Sequence, residues 1–139
     1  NCSSEEPVVG ITTVEGSGDH TYNDIIIMKQ SQARAIAKKA GTLEVVNLAG
    51  KLTLLQSAAL MAGAQHNYVN DSGPLHLASA TNAPVSAFFC STVPEFGFGP
   101  LSENASIIEV KDLDCRPCGL HGHKACPKGH FKCGKDLKL

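Results

Sequence analysis

The chain has 139 residues, the length of one ordinary domain, with 42% hydrophobic and 18% charged residues. That composition supplies a core and excludes an intrinsically disordered chain. Twelve basic residues against 13 acidic ones give a net charge of -1, which speaks against a general nucleic-acid or anionic-membrane binder.

Residues 8–14 form a continuous β-branched run that predicts a buried strand. The glycine-rich stretch 15–20 predicts a loop. Thr21 followed by Asp24 predicts a helix start, the hydroxyl capping free amides. Ile26, Ala33, Ala37 and Ala40 then share one helical face. Lys38 and Lys39 suit the negative end of its dipole, and Gly41 stops it. A second strand is expected at 43–48. Thr53 is placed to cap the next helix, whose apolar side holds Leu54, Leu55, Ala58, Ala59 and Met61 and which Gly63 ends. Further strands are predicted at 66–70, 84–89 and 107–110. A helix at about 74–81 separates the first two, and a loop rich in Gly and Phe covers 94–100.

Strands alternating with helices imply a Rossmann-like α/β fold, a parallel sheet with helices on both faces. Such sheets bind ligands beyond the carboxyl ends of their strands. We divide the chain into a Rossmann-like domain over 1–113, itself partial, and a cysteine-rich tail over 114–139 packed on it. No apolar run reaches the roughly 18 residues of a membrane-spanning helix, and no signal peptide is expected. The chain opens on Asn1, as a processed or partial product does.

Asn70, Asp71, Ser72, Gly73, Pro74, Leu75 and His76 join a predicted strand to a predicted helix. Ser72 or Asp71 can cap that helix, Pro74 suits its first turn, and Gly73 lets a ligand approach the backbone. Free amides and the helix dipole at the mouth of a sheet favour a phosphate or diphosphate, with His76 one turn in as a further donor. A capped turn with a core histidine is the equally weighted alternative. Beyond the strand at 84–89, Ser91 or Thr92 is placed to touch a ligand at the sheet's mouth, while Phe88 and Phe89 are expected in the core.

The runs at 47–54 (Asn-Leu-Ala-Gly-Lys-Leu-Thr-Leu), 70–78 (Asn-Asp-Ser-Gly-Pro-Leu-His-Leu-Ala) and 83–85 (Ala-Pro-Val) occur in this order. Cys115-Arg116-Pro117-Cys118 and Cys126-Pro127-Lys128-Gly129-His130 follow. Together they resemble the C-terminal domain of the heptosyltransferases of lipopolysaccharide core synthesis, glycosyltransferase family nine. The resemblance implies the C-terminal half of a GT-B fold, with the active site in a cleft between two Rossmann-like domains. It implies an inverting enzyme that moves heptose from ADP-heptose to a lipopolysaccharide precursor, this chain being the donor-binding part. Asp71, Ser72, Gly73, Pro74 and His76 would then lie at the diphosphate. Asp19, in the loop 16–20, would meet ribose hydroxyls, or stand in a solvated turn. Lys51 would reach a phosphate, or be a solvated loop residue. The acceptor domain and its general base are expected outside this chain, which alone is expected to be incomplete and inactive. A cytoplasmic setting follows, with the full enzyme associating peripherally with the inner face of the inner membrane. A non-catalytic nucleotide- or metal-binding module is the alternative function.

Four of six cysteines, Cys115, Cys118, Cys126 and Cys133, crowd the last 25 residues. A CxxC pair offers two ligands from one turn, so the four thiols are a candidate structural zinc set. Reduced thiols in a packed tail are the equal alternative, and disulfides follow behind; spacing also admits an iron–sulfur cluster. No cofactor is required for the transfer itself.

Overall fold

The computed structural model describes the backbone of residues 10–14, 22–27, 45–48 and 50–138, and the side chains of 48 and 50–138. Its strands are β1 (Gly10–Val14), β2 (Tyr22–Ile27), β3 (Val45–Asn47), β4 (His66–Asn70), β5 (Val85–Phe89) and β6 (Ala105–Glu109). Among the described residues the helices are α1 (Leu54–Gly63), α2 (Gly73–Ala80) and the short α3 (Lys132–Lys135), with one 3-10 turn at Pro94–Phe96.

The six strands form one sheet in the order β3-β1-β2-β4-β5-β6. β1 is antiparallel to both its neighbours, β2 and β3. β2, β4, β5 and β6 are successively parallel. The other five strands therefore share one direction, and β1 alone runs against them. This is a Rossmann-like α/β arrangement with a single reversed strand. Its consequence is that β3, β4, β5 and β6 all end at one edge of the sheet.

Asp24 does not lie near the start of a helix. Tyr22–Ile27 is β2, paired with β4 through Asp24↔His66 and Ile26↔Tyr68. The reason is local: Ile25, Ile26 and Ile27 are three consecutive β-branched residues, whose stiff side chains favour extended backbone. The rest of the helix expected to run to Gly41 lies outside the described residues, as does the loop 15–20.

α1 starts as its sequence demands. Thr53 Oγ1 accepts from the Gln56 amide at 3.3 Å, and Gln56 Oε1 accepts from the Thr53 amide at 2.8 Å, a reciprocal capping box. The packed side of α1 differs from the expected one. Leu54 and Leu55 are 69% and 82% exposed, whereas Met61 is buried. Only the far end of the helix, at Leu60 and Met61, reaches the core.

That core lies between the two helices and one face of β4 and β5. Met61 and Ala64 from the α1 end, Leu75 and Ala78 from α2, Val69 from β4, and Val85, Ala87 and Phe89 from β5 are all buried. Alternation along the strands puts them on one face. Asn67 shares that face. Its amide group donates to Met61 O at 3.0 Å and Pro84 O at 2.9 Å, tying the end of α1 to the entry of β5. On the opposite face, His66 Nε2 hydrogen-bonds Ser86 Oγ at 2.8 Å, which in turn bonds Ser106 Oγ at 2.7 Å. Phe88 lies on that face and is half-buried, so of the pair only Phe89 is core.

Truncating Phe89 removes the largest fully buried side chain. Phe89→Ala is expected to lower unfolding free energy by about 3–5 kcal/mol in urea titration. Leu55→Ala, on the exposed first turn, is expected to stay within about 0.5 kcal/mol of the parent.

Candidate functional site

At the common edge where the strands end, the chain leaves β4 at Asn70 and enters α2 at Gly73 within three residues. Pro74 sits buried in the first turn of α2, where its missing N–H costs nothing. The turn is not held by the cap expected of Ser72. Ser72 occupies the N-cap position, but its side chain makes no capping bond. Its hydroxyl instead donates back to Asn70 O at 3.2 Å. The Leu75 amide bonds Ser72 O at 3.0 Å, and the Ser72 and Gly73 amides belong to the helix start that has no intrahelical acceptor.

Asp71 fixes the turn. Its amide donates to Phe88 O at 3.1 Å, and its Oδ2 accepts from Thr92 Oγ1 at 2.5 Å. A carboxylate beside the positive end of α2 also matches the helix dipole. Thr92, expected beside a ligand, is buried and spends its hydroxyl on Asp71. Its neighbour Ser91 is also buried, and its hydroxyl has no hydrogen-bond partner among the described residues.

Gly73 is exposed, and a Cβ built on it would meet nothing within 4 Å. Among the described residues, nothing packs against Gly73 at the front of the helix start. His76 is exposed one turn in, its ring edge-on to Phe98 at 6.3 Å, so it is not a core histidine. Lys51 is exposed in the turn that follows β3. It is at the same edge but three places from β4 in the sheet order, about 14 Å at the usual strand spacing. Asp19 lies outside the described residues.

The sequence pattern did not point to Arg116 and Glu109. The Arg116 side chain is 7% exposed and the Glu109 side chain 13%, and Arg116 Nη2 donates to Glu109 Oε2 at 2.7 Å. Nε and Nη2 also donate to Thr92 O at 3.2 and 2.8 Å, and Nη1 donates to Val110 O at 3.0 Å. The available signal was that Arg116 is one of only two arginines in a chain that otherwise uses lysine, and arginine suits buried, multi-acceptor positions.

The cysteine-rich tail docks on this edge through Arg116 and through the Cys118 amide, which donates to Ser91 O at 2.8 Å. Among the described residues, no three His, Cys, Asp or Glu side chains are grouped to hold a metal ion. Cys115 Sγ lies 3.8 Å from His130 Nε2. His130 Nδ1 accepts from the Lys132 amide at 3.1 Å, which puts the proton of the neutral ring on Nε2, facing the sulfur. Around Cys126 the backbone folds into a nest. The Phe131 amide above all, then those of Lys128, Gly129 and His130, hold its thiol pKa below the ordinary value against the opposing effect of burial.

A family model described as glycosyltransferase family 9 (heptosyltransferase) matches residues 19–128. Over 100 residues, 72% of this chain and 30% of the relative, the chain is 35% identical to lipooligosaccharide heptosyltransferase 2 of Campylobacter jejuni. It is 42% identical over 65 residues to the Haemophilus influenzae protein of that name, covering 47% of this chain and 18% of the relative. It is 39% identical over 64 residues to lipopolysaccharide heptosyltransferase 2 of Escherichia coli, covering 46% and 18%. The chain thus spans less than a third of the length of these relatives. No solved structure matches it.

The amide nest makes a prediction about Cys126. A lowered thiol pKa means that the stability contributed by these contacts is present above the ordinary thiol pKa and is lost as pH falls through the lowered one. Alkylation of Cys126 by iodoacetamide, followed by mass spectrometry across pH, is expected to reach half its maximal rate at lower pH in native protein than in urea-unfolded protein. Coincident profiles would show that the amides do not act on the sulfur.

Proposed function

The chain belongs to glycosyltransferase family 9, the heptosyltransferase family, and from that premise we propose that it is the donor-binding part of a glycosyltransferase acting in lipopolysaccharide core synthesis. The donor is a nucleotide diphosphate sugar, ADP-heptose, and the acceptor a lipopolysaccharide precursor. The observation that carries this reading is the open helix start at Gly73, within the family-matched segment and at the edge where the parallel strands end. Backbone N–H groups and a helix dipole directed at open space form an anion site.

In this reading the Ser72 and Gly73 amides and the His76 imidazole hold the diphosphate. Asp71 does not. A carboxylate repels phosphate, and its Oδ2 is already committed to Thr92; the remaining oxygen is left for a sugar hydroxyl. The reaction is a direct displacement at the anomeric carbon with inversion, in the cleft of a GT-B enzyme. The general base and acceptor contacts come from a second domain outside this chain. The same amides that bind the donor stabilise charge building on the departing ADP.

Magnitudes indicate why the second domain matters. At an exposed helix start the dipole contributes about 0.3–1 kcal/mol. A preorganised donor in a site shut off from water contributes about 10²–10³ in rate. Gly73 and His76 are exposed in this chain, so the larger effect requires the cleft to close over them. No helix among the described residues is long and apolar enough to cross a membrane. The reading places the full enzyme peripherally at the cytoplasmic face of the inner membrane, where a lipid-anchored acceptor presents its sugars.

Calorimetric titration with ADP, and with UDP as control, tests the reading. ADP is expected to bind in preference to UDP. His76→Ala is expected to weaken ADP binding by about tenfold, as for loss of one hydrogen bond to a charged group. Gly73→Ala separates site from scaffold. With no protein atom in its way, the methyl group is expected to leave stability equal or raised by up to about 1 kcal/mol. It would nonetheless obstruct close approach of a diphosphate and weaken ADP binding. Undiminished binding by both variants would remove the diphosphate from this turn.

A further inference from the structure

Resting on the donor-binding reading, we propose that Arg116 is a positioning residue for the site: through Thr92 it fixes the Asp71 carboxylate, and with it the turn that presents the Ser72 and Gly73 amides.

Asp71 is tied to the end of β5 twice, by its amide to Phe88 O and by its carboxylate to the Thr92 hydroxyl. The first tie extends the parallel ladder of β4 and β5 and is as rigid as the sheet. The second depends on Thr92, which lies three residues past the end of β5 at Phe89. Outside the ladder, a hydroxyl is aimed only as well as its own backbone is held. Arg116 holds that backbone: two of its nitrogens converge on Thr92 O, while its other donors anchor it to Val110 O and Glu109 at the end of β6. The Cys118 amide fixes the adjoining carbonyl, that of Ser91.

Arg116 is not itself placed to bind phosphate. Its side chain is 7% exposed, and its donors already face two carbonyls and a carboxylate. The arrangement requires arginine in particular. A planar fork of fixed donors serves three acceptors in different directions at once, and an ammonium on a flexible stem does not reproduce it. The cysteine-rich tail, which carries Arg116, thus sets the geometry of a turn some forty-five positions earlier in the chain.

The test uses the isotopically labelled 139-residue chain. Amide resonances of Ser72 and Gly73 and calorimetric ADP affinity are followed in Arg116→Lys, Thr92→Val, Thr92→Ser, Asp71→Ala and the Arg116→Lys/Asp71→Ala double variant. Arg116→Lys and Thr92→Val are expected to move both resonances and to weaken ADP binding on the order of tenfold. Thr92→Ser, which keeps the hydroxyl, is expected to match the parent. Arg116→Lys is expected to cost nothing further once Asp71→Ala is present, a dependence that general destabilisation would not produce. Should Arg116→Lys fail to fold, Thr92→Val against Thr92→Ser still decides whether the hydroxyl aims the turn. Unmoved resonances with unchanged affinity, or an equal loss with and without the Asp71 carboxylate, would overturn the proposal. A parent chain that binds no ADP would sink the donor-binding reading instead, and the resonances would still report whether Arg116 sets the turn.

Discussion

A guanidinium removed from water must find acceptors for its donors, because an unpartnered buried charge costs several kcal/mol, on the order of 3–5 when a pair is broken. Arg116, at 7% exposure, meets that requirement with three residues of the sheet's carboxyl edge: Thr92 after β5, Glu109 at the end of β6, and Val110 just beyond it. The chain crosses this edge repeatedly, and loops beyond strand ends have no ladder to hold them. One side chain therefore organises the edge where the site lies. Its salt bridge with Glu109 is not a net source of stability in itself, since desolvation offsets the attraction. Its effect is to give the edge one arrangement in place of many.

The direction of the strands makes that edge a site. With β1 alone reversed, the remaining five strands end together. The start of α2 then directs its amides outward from the end of β4. The helix is anchored from behind by Leu75 and Ala78, both fully buried, and open in front at Gly73. Rigid support and an unobstructed front are what binding an anion by backbone requires. The Asp71 carboxylate is engaged sideways by the Thr92 hydroxyl.

Three sulfurs of the tail have described partners. Cys115 faces a protonated imidazole nitrogen of His130, the Cys118 thiol donates to Cys115 O at 3.0 Å, and Cys126 lies in a nest of amides. Backbone and guanidinium bonds at Ser91, Thr92, Glu109 and Val110 join this segment to the sheet edge. The spacing of the cysteines marks the tail as a device, but its mechanical link to the site is the arginine between the first two of them.

The sequence alone determined whatever depends on neighbours within a few positions. Thr53 and Gln56 are three residues apart, and their capping box forms as read. The strands at His66–Asn70 and Val85–Phe89, the helix between them, Pro74 in its first turn, and the family motifs at 47–54 and 70–78 are likewise local patterns. The tertiary structure decided what depends on residues far apart in the chain. The neighbours of Tyr22–Ile27 in the sheet, β1 on one side and β4 on the other, were set by the fold. Leu54 and Leu55 stayed outside because only the far end of their helix reaches the core. Thr92, 21 positions from Asp71, became its partner. Arg116 found a carbonyl 24 positions away. Such pairings bring together residues whose separation carries no periodic signal, so only the folded chain reveals them.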